Sequence, residues 1–244
     1  MNPEIALATA ARVLQQLRRD HRTLALVLVV PPALLALFKY VFDAQPQTFE
    51  RIGAPLVGLF PFILMFLVTS IAMLRERTGG TLERLMSLPL AKLDLLLGYG
   101  LAFAAVAAVQ ATLTSAVGFW LLGLDTEGAV WTVVLIAVAN AVLGMSLGLF
   151  LSSFATSEFQ AVQFMPAVVF PQLLLCGLLV PRDAMPALLE GISWFLPLTY
   201  AYDALARVTA GDFDGRFWLD VGVVVGAIVL ALALGATTLR RRTP

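Results

Sequence analysis

Six stretches of this chain carry almost no charge over the ~20 residues that one α-helix needs to cross a hydrocarbon core, and this constrains the fold more than any motif does. They are Thr23 to Val41, interrupted only by Lys39, then Ile52 to Leu74, Leu95 to Leu124, Gly128 to Ser157, Phe159 to Pro181, and Phe217 to Leu239, interrupted only by Asp220. A backbone surrounded by lipid must satisfy its own hydrogen bonds, so these runs predict an all-α membrane protein with six transmembrane helices. Residues 1–22 read as an N-terminal amphipathic helix. Residues 23–244 read as one six-span domain, with a cytoplasmic loop at 75–94 and an outer re-entrant region at 181–216. With 60% apolar and only 13% charged residues, a disordered chain, a nucleic-acid-binding domain and most soluble enzymes are excluded.

Orientation follows from the basic residues near the span ends. Arg12, Arg18, Arg19 and Arg22 precede the first run, Arg75, Arg77, Arg84 and Lys92 lie between the second and third, and Arg240, Arg241 and Arg242 follow the sixth. Six spans put all of these on one side, leaving Lys39, Arg51, Arg182, Arg207 and Arg216 on the other. Both termini are therefore expected in the cytoplasm of a multi-pass bacterial plasma-membrane protein. Asn2 to Arg22 is polar and periodic and lacks the short apolar core of a cleavable signal, so the first span is expected to be retained.

Between the spans, three segments have a pattern of their own. Leu7, Ala10, Ala11, Leu14 and Leu17 recur at helical spacing opposite Arg12, Gln15, Gln16 and Arg19, which suits a helix lying on the membrane; a plain interfacial anchor has the same pattern. In the 75–94 loop, Gly79 and Gly80 break the chain, Thr81 can cap a short helix with Leu82, Leu85 and Met86 on one face, and Pro89 ends it. Such a helix serves equally as a docking surface or a solvated connector. From 181 to 216 the uncharged run is too short to cross, while Trp194, Phe195 and Tyr200, like Trp120 and Trp131, suit the headgroup level.

The spans hold no mid-membrane carboxylate, which argues against an ion-coupled pump. His21 is the only histidine and Cys176 the only cysteine, so neither a zinc protease site nor a thiolate metal cage can form within the chain. No GxxxxGK[ST] loop is present, so energy for uphill transport must come from another subunit. Thr69, Ser70, Gln110, Thr112, Thr114, Ser115, Asn140, Gln163 and Gln172 are expected chiefly to make interhelical hydrogen bonds, with substrate contact as the alternative. Gly144 and Gly148, like Gly222 and Gly226, form GxxxG pairs suited to close packing. Pro166 and Pro171 should kink the fifth span beside Gln172, as a gate or as a static bend.

Two blocks of sequence resemble the type-2 ABC exporter permeases. The first runs through Arg75-Glu76-Arg77, Gly80-Thr81-Leu82-Glu83-Arg84-Leu85, Pro89-Leu90 and Leu95-Leu96-Leu97-Gly98, with Tyr99 where that family commonly has lysine. The second runs through Phe164 to Pro171, Cys176-Gly177, Pro181, Pro186, Leu196 to Tyr200, Asp203-Ala204-Leu205 and Arg207. Together they cover about Arg75 to Arg207.

The resemblance implies a permease that pairs with a second permease copy or homologue, each resting on a separate ABC ATPase subunit that holds ATP and Mg. This chain itself would carry no cofactor, no metal and no catalytic residue, and would contact membrane lipid but no nucleic acid. Thr81, Leu82, Glu83, Arg84, Leu85 and Ser87 would form the coupling helix seated in the ATPase, and Arg75, Glu76 and Arg77 a charge relay to the spans. Phe62, Phe66, Thr69, Phe164, Val168 and Gln172 are then the candidate cargo contacts, and Pro166, Pro171 and Pro197 the candidate gate. The implied cargo is apolar or amphipathic: a drug, an antibiotic or a lipid. Export of a lipid-linked glycan by the same kind of complex is an alternative. So are an ATP-independent membrane enzyme, using Arg182, Asp183, Asp203 and Arg207 on a lipid headgroup, and a non-catalytic scaffold.

Overall fold

A computed structural model describes residues 3–80 and 92–238, and within these the chain is helical throughout. Five helices are long and apolar enough to cross a membrane: His21–Val41, Pro46–Thr78, Asp94–Leu121, Val130–Phe154 and Gly215–Thr238. They follow a first helix, α1 (Pro3–Arg19), and are labelled α2 (His21–Val41), α3 (Pro46–Thr78), α4 (Lys92–Ala116, continued by a π-turn to Leu121), α5 (Val130–Leu151) and α10 (Gly215–Thr238). The run expected as the fifth span is helical from 158 to 175 but is not one α-helix. It consists of α6 (Glu158–Phe164), a π-turn at Met165–Val169, and α7 (Phe170–Leu175). Two short helices, α8 (Ala187–Ser193) and α9 (Pro197–Thr209), precede α10.

Local chemistry explains the boundaries. Asp20 caps α2 by accepting hydrogen bonds from the Thr23 amide at 3.1 Å and hydroxyl at 2.6 Å. Those bonds hold the Asp20 carboxyl below the usual carboxylate range. Proline opens α3 and α9 in the first turn, where its missing N–H costs nothing. Ser157 caps α6. At 33 residues α3 is about 50 Å long, well beyond the ~30 Å hydrocarbon core, so its last turn carries Arg75 to Arg77 clear of the apolar layer.

The core is centred on the α3–α5 pair, with α4 and α10 against α5 and with α2 against α3. Small residues make this centre possible. A Cβ added at Gly144 would fall on the Phe62 carbonyl oxygen, and one at Gly148 on the Phe66 carbonyl oxygen, so the two backbones touch. Thr69 Oγ1 lies in the seam, 3.2 Å from Met145 O, but donates its one proton to Met65 O of its own helix at 2.6 Å. Gly222 and Gly226 differ: among the described residues nothing lies within 4 Å of a Cβ at either position, so this second pair packs against none of the described helices.

Of the polar residues in the spans, Gln110 and Asn140 cross between helices as expected, whereas Thr114 and Ser115 donate to carbonyls one turn back in α4. Gln110 Nε2 donates to Val27 O of α2 at 2.9 Å, and Asn140 Nδ2 to Ala201 O of α9 at 3.4 Å. At the opposite end of the bundle from Arg75, Tyr40, Trp120, Trp131, Trp218 and Phe195 stand exposed, as amphipathic rings do at a headgroup layer.

The apolar residues of α1 are divided between the bundle and its surroundings. Ala6, Thr9, Ala10 and Val13 are buried, whereas Leu7 and Leu14 point outward. The reason is steric: α1 lies so close to α4 that a Cβ on Gly98 would sit 2.8 Å from the Ala6 carbonyl oxygen. Only small side chains fit that contact, and the leucines are left for lipid.

Gly144→Ala should destabilise the detergent-solubilised chain by about 1–3 kcal/mol, read as a lower melting temperature, because the new methyl must part the α3–α5 backbones. Gly222→Ala, facing open space, should leave the melting temperature unchanged or raise it.

Candidate functional site

The functional geometry begins at the end of α3, where three consecutive charged residues reach three different neighbours. Arg75 makes a two-pronged ion pair with Glu158 at the start of α6, at 2.7 and 3.1 Å. Glu76 is buried and its Oε1 faces Arg12 of α1 at 3.5 Å. Arg77 donates to the Ser152 carbonyl oxygen just beyond α5, at 2.6 Å. Arg12 also donates to the Tyr99 hydroxyl of α4 at 2.5 Å, with its guanidinium 5.5 Å from the ring centroid. The motif thus ties α3 to α1, α4, α5 and α6 at one level of the bundle. Sequence reasoning nominated the three motif residues but missed Arg12, Tyr99 and Glu158. The signals available were the lone arginine on the inner flank of α1 and the tyrosine in place of lysine.

The residues expected to form the coupling helix, Thr81, Leu82, Glu83, Arg84, Leu85 and Ser87, lie outside the described residues. The helix enters this region through Gly79 and Gly80, immediately after the Arg75–Arg77 cluster.

The nominated cargo contacts divide into three groups. Phe62, Phe66 and Thr69 are fully buried on the α3 face packed against α5, so within this chain they are seam residues and line no open space. Phe164 and Val168 lie, partly exposed, on the broken helix; Phe164 and Ile71 of α3 pack on the same small cluster of Leu74, Ala155 and Ala161. Gln172 is buried and acts as a clamp. Its Nε2 donates to Val168 O in the π-turn at 3.0 Å, and its Oε1 accepts from the Leu198 amide at the start of α9 at 3.4 Å.

The open face of α3 is the one opposite to the seam. Leu64, Leu67, Val68 and Ile71 are partly exposed and line a groove of 270 Å³, bounded by Leu26 of α2 and Leu17 of α1 and ending at Asp20, Arg75 and Glu76. An apolar channel with a charged rim can accept an amphiphile lying along α3.

The gate candidates are brought together through Gln172. Pro166 sits within the π-turn and Pro171 in the first turn of α7, where neither can donate a backbone hydrogen bond, and the helix widens to accommodate them. Pro197 opens α9, whose Leu198 amide is held by Gln172. After Cys176 the chain turns at Gly177, whose φ of +103° disfavours any side chain. The far end of α9 is held in turn by the α4–α5 loop. Thr209 O accepts from the Glu127 amide at 2.9 Å and from the Thr126 hydroxyl at 3.0 Å.

Around α8 and α9 the charged residues form an ion-pair chain. Arg182 pairs with Asp203, and Arg207 with Asp212 and Asp214 at 3.2 Å. The fully buried Asp220, which interrupts the sixth apolar run, lies 3.4 Å from Arg207 and 3.9 Å from Arg216. Burial pushes the Asp203 carboxyl above the usual carboxylate range, and Arg182 draws it back.

Comparison with known proteins agrees with this arrangement. Residues 6–209 match the family model described as ABC-2 type transporter. The chain is 29% identical over 186 residues to the "Probable multidrug ABC transporter permease YbhR" of Escherichia coli K12, covering 75% of this chain and 48% of that protein. It is 24% identical over 208 residues to the "Probable multidrug ABC transporter permease YbhS" of the same organism, covering 84% and 55%. Against the "ABC transporter G family member 20" of Dictyostelium discoideum it is 26% identical over 193 residues, covering 77% and 26%. The chain therefore spans about half the length of the two bacterial relatives, and about a quarter of the third. With most of its length matched and five spanning helices around a stapled α3, the chain belongs to the ABC-2 type transporter family of membrane permeases.

Proposed function

We propose that the chain is the transmembrane subunit of an ATP-driven exporter that moves an apolar or amphipathic cargo out of the cytoplasm or the inner leaflet. The observation that carries this reading is the open apolar stripe of α3, Leu64, Leu67 and Ile71, which faces a groove shared with α1, α2 and α4. Ile71 also packs on the cluster that holds Phe164, next to the break at Met165–Val169. A cargo path needs an apolar wall and a neighbouring element able to change shape, and a π-broken helix held by a single glutamine supplies the second. The names of the bacterial relatives, multidrug permeases, fit a cargo of this kind.

On this account the helical run from 158 to 175 is the fifth of six spans, both termini are cytoplasmic, and α8–α9 form a re-entrant hairpin on the outer side. The segment from Thr81 to Ser87 seats in a separate ATPase that supplies ATP and Mg. Motion of that segment passes through Arg75, Glu76 and Arg77 to α6, α1 and α5 respectively. A second permease copy or homologue faces the open side of α3 and completes the cavity, with Phe164 and Val168 on its wall.

Extraction of the tagged chain from its own host in mild detergent tests the reading. A soluble ATPase subunit should copurify in roughly equal amount; recovery of the chain alone, even after crosslinking, would contradict it. Glu83→Arg should abolish ATP-driven efflux and stimulation of the ATPase while membrane insertion remains normal, and survival of both activities would remove 81–87 from the coupling role. Pro171→Ala restores a backbone donor beside the π-turn. It should slow transport several-fold with no loss of assembly, measured as efflux rate per assembled complex.

A further inference from the structure

Where α1 ends and α2 begins, Arg18, Arg19, His21 and Arg22 follow one another closely, and all four are exposed. Three of them, with Gln15, line an open cleft of 380 Å³. Each of these lining side chains can donate a hydrogen bond, and no carboxylate is among them. The acidic residue of this elbow, Asp20, is turned elsewhere: it lines the groove along α3, and its two oxygens accept from Thr23. Among the described residues, none of the four basic side chains makes an ion pair. Clustered positive charge with no counter-charge in the chain attracts an anion from outside it.

The position of the cleft identifies what the anion belongs to. His21 is the first residue of α2, a helix long and apolar enough to span, so the cleft lies where the headgroup layer begins. Helical spacing leads from His21 to Ala25 and Val29, and from Arg22 to Leu26, Val29 and Ala33; all of these apolar residues are exposed. On α1 the outward Leu7 and Leu14 continue at helical spacing to Arg18. Apolar rows on both helices therefore run up to the basic elbow, which is the order of tail and headgroup in a phospholipid.

We infer that the α1–α2 elbow binds the headgroup phosphate of an anionic phospholipid. Arg18 and Arg19 give charge-assisted hydrogen bonds to the phosphate, His21 and Gln15 complete the donor set, and the acyl chains lie on the exposed face of α2. A zwitterionic lipid would bring an ammonium group for which the cleft has no carboxylate, so lipids of net negative charge are preferred. The inference stands apart from the cargo reading, because none of the four cleft-lining residues lines the α3 groove.

Native mass spectrometry of the purified chain, exchanged into detergent micelles with equal dioleoyl-phosphatidylglycerol and dioleoyl-phosphatidylcholine, tests this. The phosphatidylglycerol adduct should be retained about tenfold over the phosphatidylcholine adduct. In R18Q/R19Q the preference should fall to near parity, whereas R241Q/R242Q, which removes the same charge from the C-terminal end, should keep it. Equal retention of the two lipids by the unaltered chain overturns the inference, and so does an equal loss in both variants, which is the signature of net charge alone. Soluble glycerophosphoglycerol in millimolar excess should leave the lipid adduct in place; complete displacement makes the ligand a soluble phosphate and overturns the lipid assignment. Loss of a copurifying protein from R18Q/R19Q with the lipid preference unchanged also overturns it, by making the cleft a protein contact.

Discussion

The backbone contact between α3 and α5 sets everything else. In lipid, two apolar helices gain little by hiding from their surroundings, since the surroundings are equally apolar, so association rests on close packing and on hydrogen bonds made in the absence of water. Gly144 and Gly148 provide the packing by admitting the Phe62 and Phe66 carbonyl oxygens, and Thr69 fits in the same seam with its hydroxyl bonded to Met65 O of its own helix. That contact fixes the rotation of α3 about its axis. With Phe62, Phe66 and Thr69 turned inward, Leu64, Leu67 and Ile71 must face the open groove.

The same rotation gives the Arg75–Arg77 motif its arrangement. Successive residues on a helix point about 100° apart, so three charges in a row reach three neighbours instead of one. The environment at the end of α3 penalises any that remain unmatched, and each finds a partner in a different element. Glu76 would be the most costly, being buried. Where the family resemblance places a lysine, this chain has Tyr99, and Arg12 from α1 brings the positive charge, bonded to the Tyr99 hydroxyl and facing Glu76. The surface helix α1 is thereby electrostatically part of the bundle. The end of α3 is thus stapled to α1, α5 and α6 and is not a free helix end.

Much of this was legible in the sequence, and what was not has a common cause. Five of the six apolar runs became helices long and apolar enough to span. Gln110 and Asn140 made the interhelical bonds expected of them while Thr69, Thr114 and Ser115 bond within their own helices, and Pro166, Pro171 and Gln172 gathered at one break. Length and the cost of burying polar groups dictate those features, and a single sequence records both. Helix rotation is different, because a span that is apolar all round has no preferred face by composition. The resemblance places Phe62 and Phe66 among the cargo contacts, yet in this chain Gly144 and Gly148 draw that face of α3 against α5 and both are buried. In α1 the pattern suits a helix lying on the membrane with Leu7 and Leu14 toward lipid, as they stand, but it does not show which residues meet the bundle. In contact with lipid the small residues Ala6, Thr9 and Ala10 go inward, because close backbone approach is what holds the helix. Gly222 and Gly226 carry the same motif as Gly144 and Gly148 with no partner among the described residues, so a motif alone does not say which copy is used.

The central claim is that the Leu64–Leu67–Ile71 face of α3 lines the cargo path, and accessibility of single cysteines tests it most directly. In a Cys176→Ser background, Leu67→Cys and Phe66→Cys differ by one position and by opposite environments. In inside-out vesicles containing the ATPase, a small maleimide should label Leu67→Cys readily, and ATP with vanadate should slow that labelling, while Phe66→Cys stays unreactive in both conditions. Equal labelling of the two positions, or a nucleotide response at Phe66→Cys and none at Leu67→Cys, would contradict the account.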